Sequence, residues 1–193
     1  MERLGRIVRQ NRTSNMNIVI TLPVFLKGEE NRIVDMLESG KADLVHIRKP
    51  DASREATESL LLHLPKWVYG RLVLHDHHDL AVEYGLYGIH LNSRHPQPLE
   101  GWHGSVSISC HSIDELARCK QKPYNYLSLS PIFDSISKPG YCSAFSTEEL
   151  MEAYEAGIID SRVMALGGVT FERIEQVRKI GFGGAMILGD AWK

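Results

Sequence analysis

Seven short stretches of this chain hold the side chains that could do chemistry. His46-Ile47-Arg48-Lys49-Pro50 and His75-Asp76-His77-His78-Asp79 combine imidazoles, fixed cations and carboxylates. His90-Leu91-Asn92-Ser93-Arg94-His95 and Ser109-Cys110-His111-Ser112 add more histidines and hydroxyls. Ser130 to Gly140 reads SPIFDSISKPG, and Gly167-Gly168 and Gly189-Asp190 come later. Arg48 and Lys138 supply fixed positive charge, and Ser109, Ser135 and Ser137 supply hydroxyls. Gly167, Gly168 and Gly189 leave backbone N–H groups open to an anion. Such a set suits small phosphorylated substrates, whose chemistry is mostly positioning and neutralisation of charge. Asp76 is the clear acidic candidate for a Mg²⁺ ligand. His75, His77 and His78 suggest zinc less well, because adjacent His77 and His78 point in different directions on a strand or a helix. Plainer readings stand beside these: a glycine pair that only turns the chain, Arg48 paired with Asp43 or Asp51, and an ordinary solvated loop at Ser135–Lys138.

What unites the seven is their place, each just after a short apolar run. The runs are Ile18–Leu22, Leu44–Ile47, Leu72–Leu74, Gly88–Leu91, Val106–Ser109, Tyr126–Leu129, Val163–Leu166 and Gly184–Leu188. They read as strands buried on both faces. Between them the spacing predicts helices at Glu30–Glu38, Arg54–Leu64, Asp79–Tyr84, Ser112–Cys119, Ser146–Ala156 and Thr170–Ile180. Ser112 with Glu115 and Ser146 with Glu149 have capping-box spacing, and Gly181 follows the last helix as a stop. The link from Leu91 to Gly104 reads as a loop. Alternating strands and helices imply a parallel sheet, and eight strands imply an α/β (β/α)₈ TIM barrel, with an open doubly wound sheet as the alternative. In a barrel, residues that follow the strands share one mouth. The last helix is expected to be missing from this chain, which would leave Ile187 and Trp192 as exposed apolar surface. Residues 1–15 read as a leader, disordered or a short helix, before a single domain over 16–193.

Composition sets the outer bounds. The chain has 193 residues, 43% hydrophobic and 24% charged, with a formal net charge of -2. These fractions exclude a disordered or low-complexity chain, and the charge asks for neither nucleic acid nor an anionic membrane. Cys110, Cys119 and Cys142 are odd in number and form no CxxC, so neither a disulfide framework nor a cysteine zinc site is suggested. A reducing cytoplasm is the expected setting. No apolar run is long enough to span a bilayer.

The order HIRKP, LHDHHDLAVEYGLYGIHL, SISCHS, SPIFDSISKPG, ALGGV and GFGGAMILG resembles the thiamine-phosphate synthase/TenI family over nearly all of Ile18 to Asp190. The resemblance implies a (β/α)₈ barrel and a Mg²⁺-dependent transferase of thiamine biosynthesis. It would join a hydroxymethylpyrimidine diphosphate to a thiazole phosphate, releasing thiamine phosphate and diphosphate. By resemblance Arg48 holds the diphosphate, while Lys138 and Ser109 stabilise the departing charge. Ser135 and Ser137 stand at threonine positions near the two phosphates. Gly167, Gly168, Leu188 and Gly189 serve the thiazole phosphate, and Asp76 matches a Mg²⁺-binding aspartate. His46 and His75 fall among the substrate-binding positions. Self-association as a homodimer is implied in the same way.

Several positions depart from the family pattern. His46 stands for a usual glutamine, Pro50 for a usual lysine (with Lys49 adjacent), and His75 for an asparagine. A second metal aspartate would fall near His95, and Gly189 is commonly serine. The TenI branch includes thiazole phosphate tautomerases, whose histidine after the sixth strand would fall at Pro131. His46, His75 and His111 are the substitute acid/base candidates. A tautomerase and a non-catalytic barrel that binds thiamine or thiazole phosphate are therefore carried beside the synthase.

Overall fold

A strand that is apolar on both faces must be covered twice, and a sheet that closes on itself leaves no edge unpaired. Eight parallel strands do this here, in the order in which they occur, with the first pairing the last. The computed structural model describes residues 15–134 and 143–193. The strands are β1 (Met16–Ile20), β2 (Leu44–Ile47), β3 (Leu72–Leu74), β4 (Gly88–Leu91), β5 (Ser105–Cys110), β6 (Tyr126–Leu129), β7 (Val163–Ala165) and β8 (Gly184–Ile187). The helices are α1 (Glu29–Glu38), α2 (Arg54–His63), α3 (His78–Glu83), α4 (Ile113–Cys119), α5 (Thr147–Glu155) and α6 (Ile174–Ile180). The closed ring rules out the open sheet. Among the described residues no helix is long and apolar enough to cross a membrane.

Where the boundaries move, a hydrogen bond accounts for it. β1 begins at Met16 rather than Ile18 because Met16 pairs with Gly184 of β8. It stops before Pro23, which has no N–H to give a ladder. The helix expected from Thr170 opens instead as a 3₁₀ turn, Phe171–Arg173, and Thr170 does not cap it. The Phe171 N–H goes to Asp190 Oδ2, 3.1 Å away on the segment after β8. Ser146 and Glu149 complete a reciprocal capping box. Ser112 caps α4, while Glu115 accepts from the His111 N–H one residue earlier. After β8 the chain makes a 3₁₀ turn, Gly189–Trp192. The exposed apolar surface expected there is absent: Ile187 and Trp192 are buried, and Trp192 Nε1 donates to Ile20 O at 2.7 Å. The indole thus packs at the C-terminal end of β1.

The β1–α1 loop is tied down by a buried ion pair. Lys49 Nζ lies 2.7 Å from Glu29 Oε1, with both side chains 1% exposed. The same ammonium donates to Leu22 O and Val24 O at 2.9 and 2.7 Å. Burial draws the Lys49 pKa down, and Glu29 opposes that shift. Lys49 is thus turned into the body of the protein and does not stand in for the lysine that Pro50 replaces.

The barrel interior is divided. Met16, Ile18 and Ile20 of β1 meet Leu44, Val73, Met164 and Met186 in an apolar half. The other half is polar. His46 Nδ1 lies 2.9 Å from His75 Nε2, and His46 Nε2 lies 2.6 Å from the Tyr126 hydroxyl. His90 sits between Ser107 Oγ at 2.9 Å and Ser109 Oγ at 3.1 Å, and Ser128 Oγ donates to Ser109 Oγ at 2.9 Å. Burial is the main cause that depresses the pKa of all three histidines, reinforced by His90 at His46, by His90, His46, Arg48 and His78 at His75, and by His78 and Arg48 at His90. His46 and His75 fall well below 6.5, and His90 falls to about 3. Burial likewise raises the Tyr126 pKa, so its hydroxyl keeps its proton.

Two stability measurements follow. Glu29→Ala leaves a buried ammonium unpaired and is expected to cost about 3–5 kcal/mol in urea unfolding. The double change Glu29→Met/Lys49→Met should cost less, because no charge is then stranded. The histidines set the pH dependence. Below 6.5 the unfolded chain takes up protons that His46, His75 and His90 refuse in the folded state. Stability is therefore full above about pH 7 and falls as the pH drops, with a slope approaching about 4 kcal/mol per unit if all three act. Carboxylates titrate near pH 4, so a loss that begins only there would refute the neutral-histidine interior.

Candidate active site

The ends of the strands bring the sequence candidates to one mouth. Arg48 follows β2 and is half-buried. Its N–H donates to Thr21 Oγ1 at 2.9 Å, which fixes its backbone against the end of β1. Its charge reaches both His75 and His90, where it helps to hold them neutral. Arg48 thus faces the polar half of the barrel. His75 and Asp76 follow β3 and are buried. His46 lies deeper than the mouth, fully buried, with both ring nitrogens engaged inside the barrel. Ser109 closes the upper end of the hydroxyl chain under the mouth. His111, also at the end of β5, is exposed, with Nδ1 3.2 Å from Ser130 Oγ.

On the opposite side of the mouth stand the glycines after β7 and β8. Gly167 and Gly168 have φ of 88° and 63°, a conformation few side chains adopt. They also meet the β6 loop closely. A Cβ on Gly167 would lie 2.6 Å from Pro131 Cα, and one on Gly168 would lie 2.4 Å from Asp134 O. Phe133 N–H donates to Gly167 O, and Arg173 Nη1 donates to Gly168 O, at 3.0 and 2.9 Å. Neither glycine N–H donates to a carbonyl among the described residues. Leu188 precedes the 3₁₀ turn that Gly189 opens, so the Gly189 N–H has no partner within that turn. Successive free N–H groups of this kind form an anion-binding concavity. Ser135, Ser137 and Lys138 lie outside the described residues.

Sequence reasoning passed over four residues of this mouth and its floor. His90, Tyr126 and Ser128 point inward, and the signal was their parity. His90 pairs with Ser107 and Ser107 with Tyr126 in register, and the Tyr126 hydroxyl meets His46 Nε2. The fourth is Arg94. Its Nε and Nη2 donate to Asp76 Oδ1 at 2.9 and 2.7 Å.

Two metal readings can be tested on these donors. The zinc suggestion at His75, His77 and His78 fails, because His77 Nε2 is engaged with Ala52 O at 2.9 Å. His46, His75 and His90 do cluster, with ligand atoms within 4.8 Å of one another. However, the His75 and His90 rings are stacked at 4.2 Å and 22° from parallel, and imidazoles that share an ion need ring planes that meet on it. For Mg²⁺ the donor set is Asp76 alone. Oδ1 carries Arg94, and Oδ2 is buried without a partner. At the position of a second carboxylate stands His95, with Nε2 3.6 Å from Oδ1. Mg²⁺ takes hard oxygen ligands, and one carboxylate that already holds a guanidinium does not fit a protein-held ion.

Known proteins resemble this chain in sequence and fold. Residues 18–189 match the family model described as thiamine monophosphate synthase. The thiamine-phosphate synthase of Serratia proteamaculans is 28% identical over 144 residues, 72% of this chain and 68% of that protein. That of Halalkalibacterium halodurans is 28% identical over 151 residues, 74% of this chain and 70% of the relative. The crystal structure of thiamine phosphate pyrophosphorylase from Bacteroides thetaiotaomicron has a TM-score of 0.80 and 40% identity, covering 92% of this chain and 84% of that one. With the match running from the first strand to the turn after the last, this chain belongs to the thiamine monophosphate synthase family.

Proposed function

We propose that this chain is a thiamine-phosphate synthase, a transferase of thiamine biosynthesis that works in the cytoplasm on two small phosphorylated substrates. The observation that carries the reading is the pair of anion-binding features at one mouth. Arg48 and Arg94 stand at the end of β2 and in the loop after β4, and the N–H groups of Gly167 and Gly168, which have no carbonyl partner among the described residues, stand after β7. A diphosphate ester and a phosphate monoester bound there would face each other across the barrel axis. The C–O bond of the pyrimidine diphosphate breaks with its electron pair going to the diphosphate. The thiazole nitrogen lone pair then forms the new C–N bond, and the product is a thiazolium. No proton has to move, so the protein's task is to hold two anions and stabilise the leaving charge.

In this reading Arg48 binds the diphosphate, and Lys138 and Ser109 meet the departing oxygen. Ser135 and Ser137 meet the phosphates, while Leu188 and Gly189 complete the monophosphate cradle with Gly167 and Gly168. His75, on the mouth side of the network, contacts substrate, and His46 fixes the His75 ring from below. The family generally works with Mg²⁺. In this chain such an ion would arrive as a counter-ion of the diphosphate substrate, since Asp76 alone does not build a site for it. Association as a homodimer is part of the proposal. A second reading, the thiazole phosphate tautomerase, draws on one observation: a neutral imidazole, His75, at the floor of the mouth. It requires a proton shuttle rather than a leaving group.

The test is to incubate the purified protein with both substrates and quantify thiamine phosphate and diphosphate in equal amounts. Arg48→Ala and Lys138→Ala are expected to lower kcat/KM by at least about 100-fold each, as loss of a charge-stabilising donor does, with unchanged thermal unfolding. Normal turnover in both variants would overturn the site assignment. Isomerisation of the thiazole phosphate without coupling would favour the tautomerase.

A further inference from the structure

We infer that Arg94 is a built-in counter-charge for the substrate diphosphate, standing on Asp76 where a divalent ion would otherwise sit, so that this chain binds diphosphate without a protein-held metal. The inference rests on the synthase reading for the identity of the anion.

The Arg94 side chain is positioned by a constructed turn. Asn92 N–H donates to His95 O and His95 N–H to Asn92 O, both at 3.1 Å. Asn92 Oδ1 accepts from the Arg94 N–H at 2.9 Å and the His95 N–H at 3.1 Å. Its Nδ2 donates to His75 O, which ties the turn to the end of β3. One residue type thus closes the turn and docks it, as asparagine does in such turns. Arg94 Nε and Nη2 then reach Asp76 Oδ1.

The charge arithmetic makes the guanidinium sufficient. A divalent ion held without excess charge needs two carboxylates. One carboxylate with one guanidinium is equally neutral before substrate arrives. The Asp76 side chain is 9% exposed and that of Arg94 is 49% exposed, so the cation is open to solvent and the acid lies behind it. Nη1 is engaged by no described residue. A guanidinium has five N–H donors in a planar fork, and those not spent on Asp76 fit phosphate oxygens bidentately. Oδ2 is buried without a hydrogen-bond partner, and no second carboxylate stands beside it among the described residues to complete a divalent site.

The experiment is calorimetric titration of the full chain with inorganic pyrophosphate, once in excess EDTA and once with Mg²⁺. The expected result is binding in EDTA, with an affinity within about threefold of the Mg²⁺ value. Arg94→Gln should weaken binding in EDTA by at least about tenfold, and Arg94→Lys, which keeps the charge but loses the fork, should fall between. The turn is on the surface, and near-UV circular dichroism checks that both variants keep the fold. Binding by the unmodified protein only with Mg²⁺, or Arg94→Gln binding in EDTA like the parent, would overturn the inference and leave the synthase reading standing. Failure to bind pyrophosphate in either buffer would overturn both.

Discussion

The interior of a closed barrel offers no water, so every polar atom placed there must find its partner inside. That constraint governs this molecule from the contact between Tyr126 and His46 outward. The hydroxyl, held protonated by burial, meets one ring nitrogen, and the other ring nitrogen is thereby left to meet His75. His90 is caught in the same way between two serines, and Ser128 completes the chain. Each side chain is oriented by the one below it. The floor of the mouth is therefore a rigid, neutral, hydrogen-bonded surface.

Much of this was legible in the sequence, for identifiable reasons. The strands were readable because a strand covered on both faces leaves an unbroken apolar run, as in Leu72–Leu74 and Gly184–Ile187. The capping of α5 was readable because its partners are three residues apart. What was not readable depends on long-range encounters. The Phe171 N–H is capped by Asp190, which the closing of the ring brings alongside. Trp192 is buried because Ile20 O lies within reach, 172 residues away in sequence. Histidines on neighbouring strands become one network only when the register is known. Arg94 looked like a loop residue because its loop has no period, and only the Asn92 turn aims it.

The glycine pair after β7 had two competing explanations, a simple turn and an anion cradle. The structure shows a tight turn packed against the β6 loop. The backbone of the β6 loop approaches so closely that a side chain at either position would collide with it. That approach fixes the carbonyls, which accept from Phe133 and Arg173. With the carbonyls turned outward to those donors, the amides of a left-handed pair are directed the other way. Tight packing and the available N–H groups are consequences of the same backbone conformation.

Three positions that depart from the pattern the resemblance implies, His46, His75 and His95, lie on or just after three adjacent strands, β2, β3 and β4, while Gly189 follows β8. Each is linked to the next. His46 and His75 share a hydrogen bond, His75 O holds the Asn92 turn, and that turn delivers Arg94 to Asp76. These positions therefore behave as one rebuilt sector of the mouth. The other sector is Gly167 and Gly168 packed against the β6 loop. A barrel can exchange one sector without disturbing the other, because each strand end answers first to its two ring neighbours and only then to the far side of the mouth.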